Sequence, residues 1–442
     1  MKKIVLVPFL LSLGFSMMAQ TTILLNNVQI FDGVNEKLVN GNVLIQGDTI
    51  ARISTSPIAT DRSANTRIID GKGKFLMPGL IDAHWHTMMC AVPEMVLLTA
   101  DVGYLNLVAA HEAGNTLLRG FTSVRDLAGP SFGLKRAIDQ GLTPGPRIYP
   151  SGAMISQSGG HGDFRLPYEV PSAPNAPLSH GDAIGGGAIA DGVEAVLKRA
   201  REQLMMGATQ LKLAAGGGVS SNYDPIDVSQ YSEAEFHAAV EAAENWGTYV
   251  TVHAYTPRAI QTALRAGVKC IDHGQLMDEA TAKMIADKGA WLCLQAFLDN
   301  EYSNEKSSAD AREKQKMVAT GTDNAYKLAK KYKIKTAWGS DMLFNPAATK
   351  NQNAILTTLS QWYRPFEILK MATSTNAELL AFCGPRNPYP KPLGLIKEGA
   401  YADMILVDGN PMQDINLIAD PGKNFLLIMK GGIVYKNLLG NP

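Results

Sequence analysis

Apolar and polar positions alternate over short runs at residues 23–25, 28–30, 43–45 and 50–53, with Asn, Asp and Gly between them. A period of two broken by turn residues predicts a small β module made largely of antiparallel strands. The same texture returns at 404–407, 425–429 and 433–435. Two β segments flanking a long different stretch predict that the chain ends fold together. The expectation is a small β-sandwich domain built from residues 21–75 and 393–442.

The middle, residues 76–392, reads differently. Short continuous apolar runs at 80–86, 122–126, 148–155, 210–215, 249–254, 270–273, 291–295 and 336–340 predict buried strands. Between them lie helical patterns: Val193, Val196, Leu197, Ala200 and Leu204 recur at helical spacing, and residues 234–246 and 256–266 behave alike. Eight strands alternating with helices predict an α/β fold, a (β/α)8 TIM barrel. A doubly wound open sheet is the competing architecture. Residues 156–189, rich in Gly, Pro and Ser, interrupt the rhythm after the third strand; a connection of that length reads as a lid or a disordered segment.

Composition narrows the picture. Hydrophobic residues make up 46% and charged residues 19%, enough for a large core. Lys+Arg and Asp+Glu both count 41, so no basic face is implied and nucleic acid is a poor partner. Lys2 and Lys3 precede an apolar run from Ile4 to Met17, with Ala19 at a plausible cut. That is the layout of a signal peptide over residues 1–20, too short for a comfortable membrane span. The expectation is an exported protein, periplasmic or secreted, with no stable membrane span. Its oligomeric state, including a homo-oligomer, is left open. Cys90, Cys270, Cys293 and Cys383 lie far apart, and buried free thiols are the default.

Candidate chemistry falls at strand ends. In such a barrel the C-terminal ends of the strands face the reaction site. The first strand ends Asp82-Ala83-His84-Trp85-His86, and side chains two apart share a face, so His84 and His86 can address one metal. The fourth strand carries Lys212, the fifth His253, the sixth His273 and the eighth Asp341. Taken singly, a His is more often a hydrogen-bonded structural residue, Lys212 a salt-bridged one and Asp341 a helix cap. Six suitable residues on five strand ends make a stronger signal than any one of them. Arg125-Asp126 reads as an internal ion pair. Gly216-Gly217-Gly218 lacks the Lys-Ser/Thr of a phosphate loop and reads as a tight turn.

The text Pro78-Gly79-Leu80-Ile81-Asp82-Ala83-His84-Trp85-His86, Ser158-Gly159-Gly160-His161-Gly162-Asp163, Gln210-Leu211-Lys212-Leu213, Val252-His253-Ala254, Asp272-His273-Gly274 and Gly339-Ser340-Asp341 resembles the amidohydrolase superfamily. Within it the chain resembles the imidazolonepropionase-like branch that includes Xaa-Pro, prolidase-like dipeptidases. The resemblance implies a two-metal hydrolase: His84, His86 and Asp341 on one divalent ion, His253 and His273 on the other. Lys212, carboxylated by CO2, would bridge both as a carbamate. Zinc suits that donor set. The resemblance further implies Asp341 as general acid–base and His161 as a substrate contact. Tyr231 and Tyr223, which follow the fourth strand, are further candidates for hydrogen bonds to substrate. The substrate expected is a dipeptide or another small molecule whose amide adjoins a free carboxylate. An N-acyl-amino-acid or ochratoxin-like amide is the alternative, and a metal-free scaffold barrel the remote one.

Overall fold

Strands at both chain ends meet in one seven-stranded sheet. The computed structural model describes residues 21–61, 63, 65–170, 176–306 and 308–440; the expected signal peptide lies outside them. From the start come β1 (Thr22–Ile30), β2 (Val39–Gln46), β3 (Thr49–Ser54) and β4 (Thr66–Pro78). From the end come β15 (Met404–Val407), β16 (Phe425–Lys430) and β17 (Ile433–Asn437), in the order β17-β16-β15-β4-β1-β2-β3. Leu25, Val43, Ile45, Leu76, Leu406 and Leu427 form its core. One pair departs from the antiparallel expectation: β1 runs parallel to β4. Residue alternation fixes which face is buried but says nothing of strand direction.

The barrel strands are β5 (Leu80–Trp85), β6 (Phe121–Asp126), β7 (Arg147–Pro150), β8 (Met154–Ser156), β10 (Leu211–Ala214), β11 (Val250–Ala254), β12 (Cys270–His273), β13 (Trp291–Leu294) and β14 (Lys335–Trp338), with β9 (Gly187–Ile189) beside β8. Every pairing among them is parallel. Nearly all their residues are buried, since helices cover the outer face and side chains fill the inside; hence continuous apolar runs rather than alternation. The ring is completed where the Asp341 amide donates to the His84 carbonyl at 2.9 Å and the Thr209 amide to Pro150 at 2.8 Å. The helix Val193–Met206 buries Val196, Ala200 and Leu204 and stops at Gly207, φ 103°. The helix Glu233–Trp246 starts with a reciprocal cap between Ser232 and Glu235.

Two expectations are refined. The strand expected over 148–155 divides into β7 and β8, because Gly152 turns the chain at φ 73° against the Gln203 side chain. The segment after β8 is partly structured: it carries a short helix, His180–Ala183, and β9. No helix among the described residues is long and apolar enough to cross a membrane. All four cysteines are buried and free.

Candidate active site

At the C-terminal end of the barrel strands five imidazoles stand in file. Ring centroids of His86 and His84 are 5.3 Å apart, His84 and His273 4.8 Å, His273 and His253 4.4 Å, and His253 and His161 3.9 Å. Nε2 of His84 and Nε2 of His86 lie 3.1 and 3.0 Å from the same Asp341 oxygen. The six residues expected from the strand ends are thus together, with His161 beside them.

The backbone is shaped to bring them there. His273 and Asp341 hold φ at 81° and 54°, a region non-glycine residues seldom adopt, at the two strand ends where the chain must turn its side chain into the cavity. Asp82, fully buried, accepts from the His84 amide (3.0 Å), the Ser340 amide (3.1 Å) and hydroxyl (2.6 Å), and the Gln352 amide group (2.9 Å). It locks the end of β5 to the end of β14.

Ring tautomers follow from the acceptors. His253 Nε2 donates to the Gly217 carbonyl at 3.1 Å, which leaves Nδ1 with its lone pair. Gln295 donates to the Cys293 carbonyl at 3.1 Å, so its oxygen accepts from His273 Nδ1 at 2.7 Å, and His273 Nε2 keeps its lone pair. Each of these two rings is anchored on one nitrogen and bare on the other, the arrangement of an imidazole ligand with an outer partner. His84, His86 and Asp341 also satisfy the spacing of a metal-binding trio. Two imidazoles on one carboxylate oxygen, in a site with two further bare imidazole nitrogens, fit divalent cations with mixed nitrogen and oxygen donors.

Charges are strongly biased. Burial pushes the Asp341 carboxyl up, but His84 and His86 beside it outweigh burial and hold it well below the usual carboxylate range. Burial, reinforced by the neighbouring rings, drives His253 well below the usual imidazole value; burial does the same to His273 and outweighs the opposing pull of Asp341. Burial and the charge of Lys212 lower His161 to about 3, leaving a neutral ring at ordinary pH. Lys212, buried, donates to Asp272 at 2.7 Å, and Arg125 donates to the other Asp272 oxygen at 2.5 Å.

Several residues lie elsewhere than the sequence reading put them. Tyr231 does not reach the cavity: its hydroxyl donates to the Ala190 carbonyl at 2.8 Å under the lid-like segment. Tyr223 is exposed, and its hydroxyl donates to the Arg165 carbonyl at 2.5 Å. Arg125 pairs with Asp272 rather than Asp126, because neighbours on a strand point to opposite faces. Asp126 instead accepts from the Thr87 amide (2.7 Å) and Ser131 (2.5 Å).

Tyr255 was missed. Two residues beyond His253, its ring packs at 4.8 Å from His253 and 5.1 Å from His273, and its hydroxyl has no partner among the described residues. The His-x-Tyr spacing at the end of β11 repeats that of His84 and His86 at the end of β5 and was its legible signal. Gly218 allows the His161 ring to lie against the backbone, since any Cβ there would overlap it. His161 Nδ1 is 2.8 Å from the Ser221 hydroxyl. Above the file of rings opens a cavity walled by the loops after the strands.

The amidohydrolase family profile matches residues 75–434. Ochratoxinase of Aspergillus niger is 31% identical over 428 residues, covering 91% of this chain and 84% of that protein. Its crystal structure superposes with a TM-score of 0.80 at 28% identity, over 95% of this chain and 96% of the other. A prolidase crystallised with N-methylphosphonate-L-proline superposes with a TM-score of 0.85 at 33% identity, over 94% of this chain and 100% of the other.

Proposed function

Because the chain belongs to the amidohydrolase family and is a hydrolase of amide bonds, we propose that it is a two-metal dipeptidase acting on an amide next to a free carboxylate, Xaa-Pro or related. The observation that carries the two-metal reading is the meeting of His84 Nε2, His86 Nε2 and Asp341 on one oxygen beside two bare imidazole nitrogens. His84, His86 and Asp341 would hold one ion, His253 and His273 the second. Lys212, as a CO2-derived carbamate, would span both. Divalent cations, zinc by the donor set, supply the positive charge that polarises a scissile carbonyl and acidifies water.

The chain's own groups do the rest. Asp341, kept ionised by its two histidines, accepts the proton of the attacking water and returns it to the departing nitrogen. An amide nitrogen leaves poorly without that proton. The Tyr255 hydroxyl, unpaired and facing the cavity, donates a hydrogen bond to the carbonyl oxygen as negative charge builds on it. His161, neutral and stacked on His253, offers its free Nε2 to the substrate. Export to the periplasm or medium, where peptides are scavenged, belongs to the same reading.

A second reading follows from ochratoxinase: an N-acyl-amino-acid or ochratoxin-like amide in place of a dipeptide, cleaved by the same residues. Metal analysis of the purified protein, followed by a panel of dipeptides and N-acyl amino acids, tests both. The expected result is two divalent ions per chain and turnover of Xaa-Pro or related dipeptides. Fewer than one ion per chain after supplementation would sink the two-metal reading, and cleavage of N-acyl amino acids alone would select the second substrate.

A further inference from the structure

The cavity has one cation that the chemistry above leaves unused. Lys306 lies in the loop between β13 and the helix Ala309–Lys331, half-buried, and lines the cavity shared with the five histidines. Its backbone is pinned on both sides: its amide donates to Gln315 Oε1 at 3.3 Å, and its carbonyl accepts from Arg312 at 3.1 Å. Its ammonium has no carboxylate within ion-pairing distance among the described residues, whereas Lys212, the other lysine of the cavity, is held by Asp272. A loop fixed at that residue and a charge left without a counter-ion is an arrangement that binding an anion would complete.

The surroundings narrow the anion. Lys306 shares its cavity with Asp341 and His161, and Asp341 and Glu94 are the acids that act on it electrostatically. Glu94 is itself engaged by Asn222, at 3.4 Å, and is not a close partner. The cavity lining is mixed: Phe297, Leu298, Val318 and Phe344 stand in it together with Asn304 and Gln315. A single ammonium in a cavity of mixed lining suits one carboxylate, and it suits a multiply charged phosphate poorly.

We propose that Lys306 is the counter-ion of the carboxylate on the departing amino acid. The assignment rests on the amide-hydrolase reading with a free carboxylate beside the scissile bond. Lys306 acts in binding: it holds the carboxylate end while Asp341 works at the amide, and so sets which amides are cleaved.

The metal-loaded protein and its Lys306→Met and Lys306→Arg variants are assayed on an Xaa-Pro dipeptide and on the same dipeptide as its C-terminal carboxamide. Binding of the free product L-proline and of L-prolinamide is measured by calorimetry at low and high salt. Lys306→Met is expected to lower the carboxylate-over-carboxamide ratio of kcat/KM about tenfold, through KM, as loss of one charge-assisted hydrogen bond should. It should weaken L-proline binding by a similar factor, while Lys306→Arg keeps most of both. An unchanged ratio, or equal losses on both substrates, would overturn the assignment. Should the wild type cleave no carboxylate-ended amide, the dipeptidase reading fails instead. Lys306-dependent, salt-sensitive L-proline binding would still support the assignment in that case, and binding indifferent to Lys306, or none, would overturn it.

Discussion

A single nitrogen carries the most exposed part of the proposed chemistry. Lys212 is buried with its amine 2.7 Å from Asp272, among residues that otherwise offer imidazole and carboxylate donors. An ammonium cannot ligate a cation; only its carbamate can. Lys212→Ala is therefore expected to lower kcat/KM by at least about a thousandfold, as loss of a group acting in the transition state does. Small carboxylic acids should partly restore it by supplying the missing oxygens, which a rate titration with acetate or propionate checks; full activity in the variant would remove the carbamate from the account. At this scale the sequence was informative because strand periodicity ties residue number to direction: His84 and His86, two apart, had to share a face. The tyrosines after the fourth strand had no such constraint. Loop residues carry no period, so Tyr231 and Tyr223 could not be aimed, and the structure gives their hydroxyls to backbone carbonyls. Tyr255, by contrast, sat on the same period as His253 and was open to that reasoning.

Between strands, the telling contact is one that local pattern could not supply. Arg125 leaves β6, crosses the barrel interior, and donates to Asp272 on β12 (2.5 Å) and to the Ala83 carbonyl on β5 (2.6 Å). Thr251 on β11 donates to the same Asp272 at 2.7 Å, and Lys212 on β10 completes the cluster. Five strands are thereby joined through one carboxylate just beneath the rings, and burial of Asp272 is outweighed by Arg125 and Lys212, which hold it well below the carboxylate range. Removing the guanidinium leaves the Ala83 carbonyl only the Cys293 thiol, at 3.5 Å, and weakens the compensation of a buried charge. Arg125→Met is thus expected to cost about 3–5 kcal/mol in denaturant unfolding. A loss under about 1 kcal/mol would mean that Lys212 and Thr251 satisfy Asp272 by themselves. The sequence showed that β6 and β12 exist, because their apolar runs are long enough to read. It could not show that they are tied, since nothing in Arg125-Asp126 reveals which acid lies across a barrel from which arginine.

The whole molecule depends on a seam between the terminal sheet and the barrel floor. Arg147 at the start of β7 donates to Asp403 through Nε at 3.0 Å and Nη2 at 3.2 Å, with its guanidinium 3.9 Å from the Tyr401 ring centre. Lys430 on β16 reaches across to the Gly145 carbonyl at 2.5 Å. That both ends would join was legible from their shared alternation. Their attachment to the barrel was not, because it is made by isolated charged residues in otherwise apolar strands. The seam gives the fold a pH dependence of definite sign. Burial, then repulsion from Arg147, lowers Lys430 from 10.5 to about 8. An unfolded chain holds that proton up to 10.5, so between pH 8 and 10.5 it binds more protons than the folded chain, and stability rises with pH through that window. Below pH 8 the charged, buried amine is a standing cost, on the order of 3 kcal/mol from the size of the shift. Buried tyrosines are pushed up in the folded chain and titrate in the unfolded one near the top of the same window, so the difference between wild type and Lys430→Met isolates the effect. The variant should gain on the wild type below pH 8, and that gain should shrink steadily toward pH 10.5 in denaturant midpoints taken at each pH. A difference constant across the window would mean that the seam holds Lys430 with its ordinary proton affinity, and that the Gly145 carbonyl and Asp403 together offset its burial.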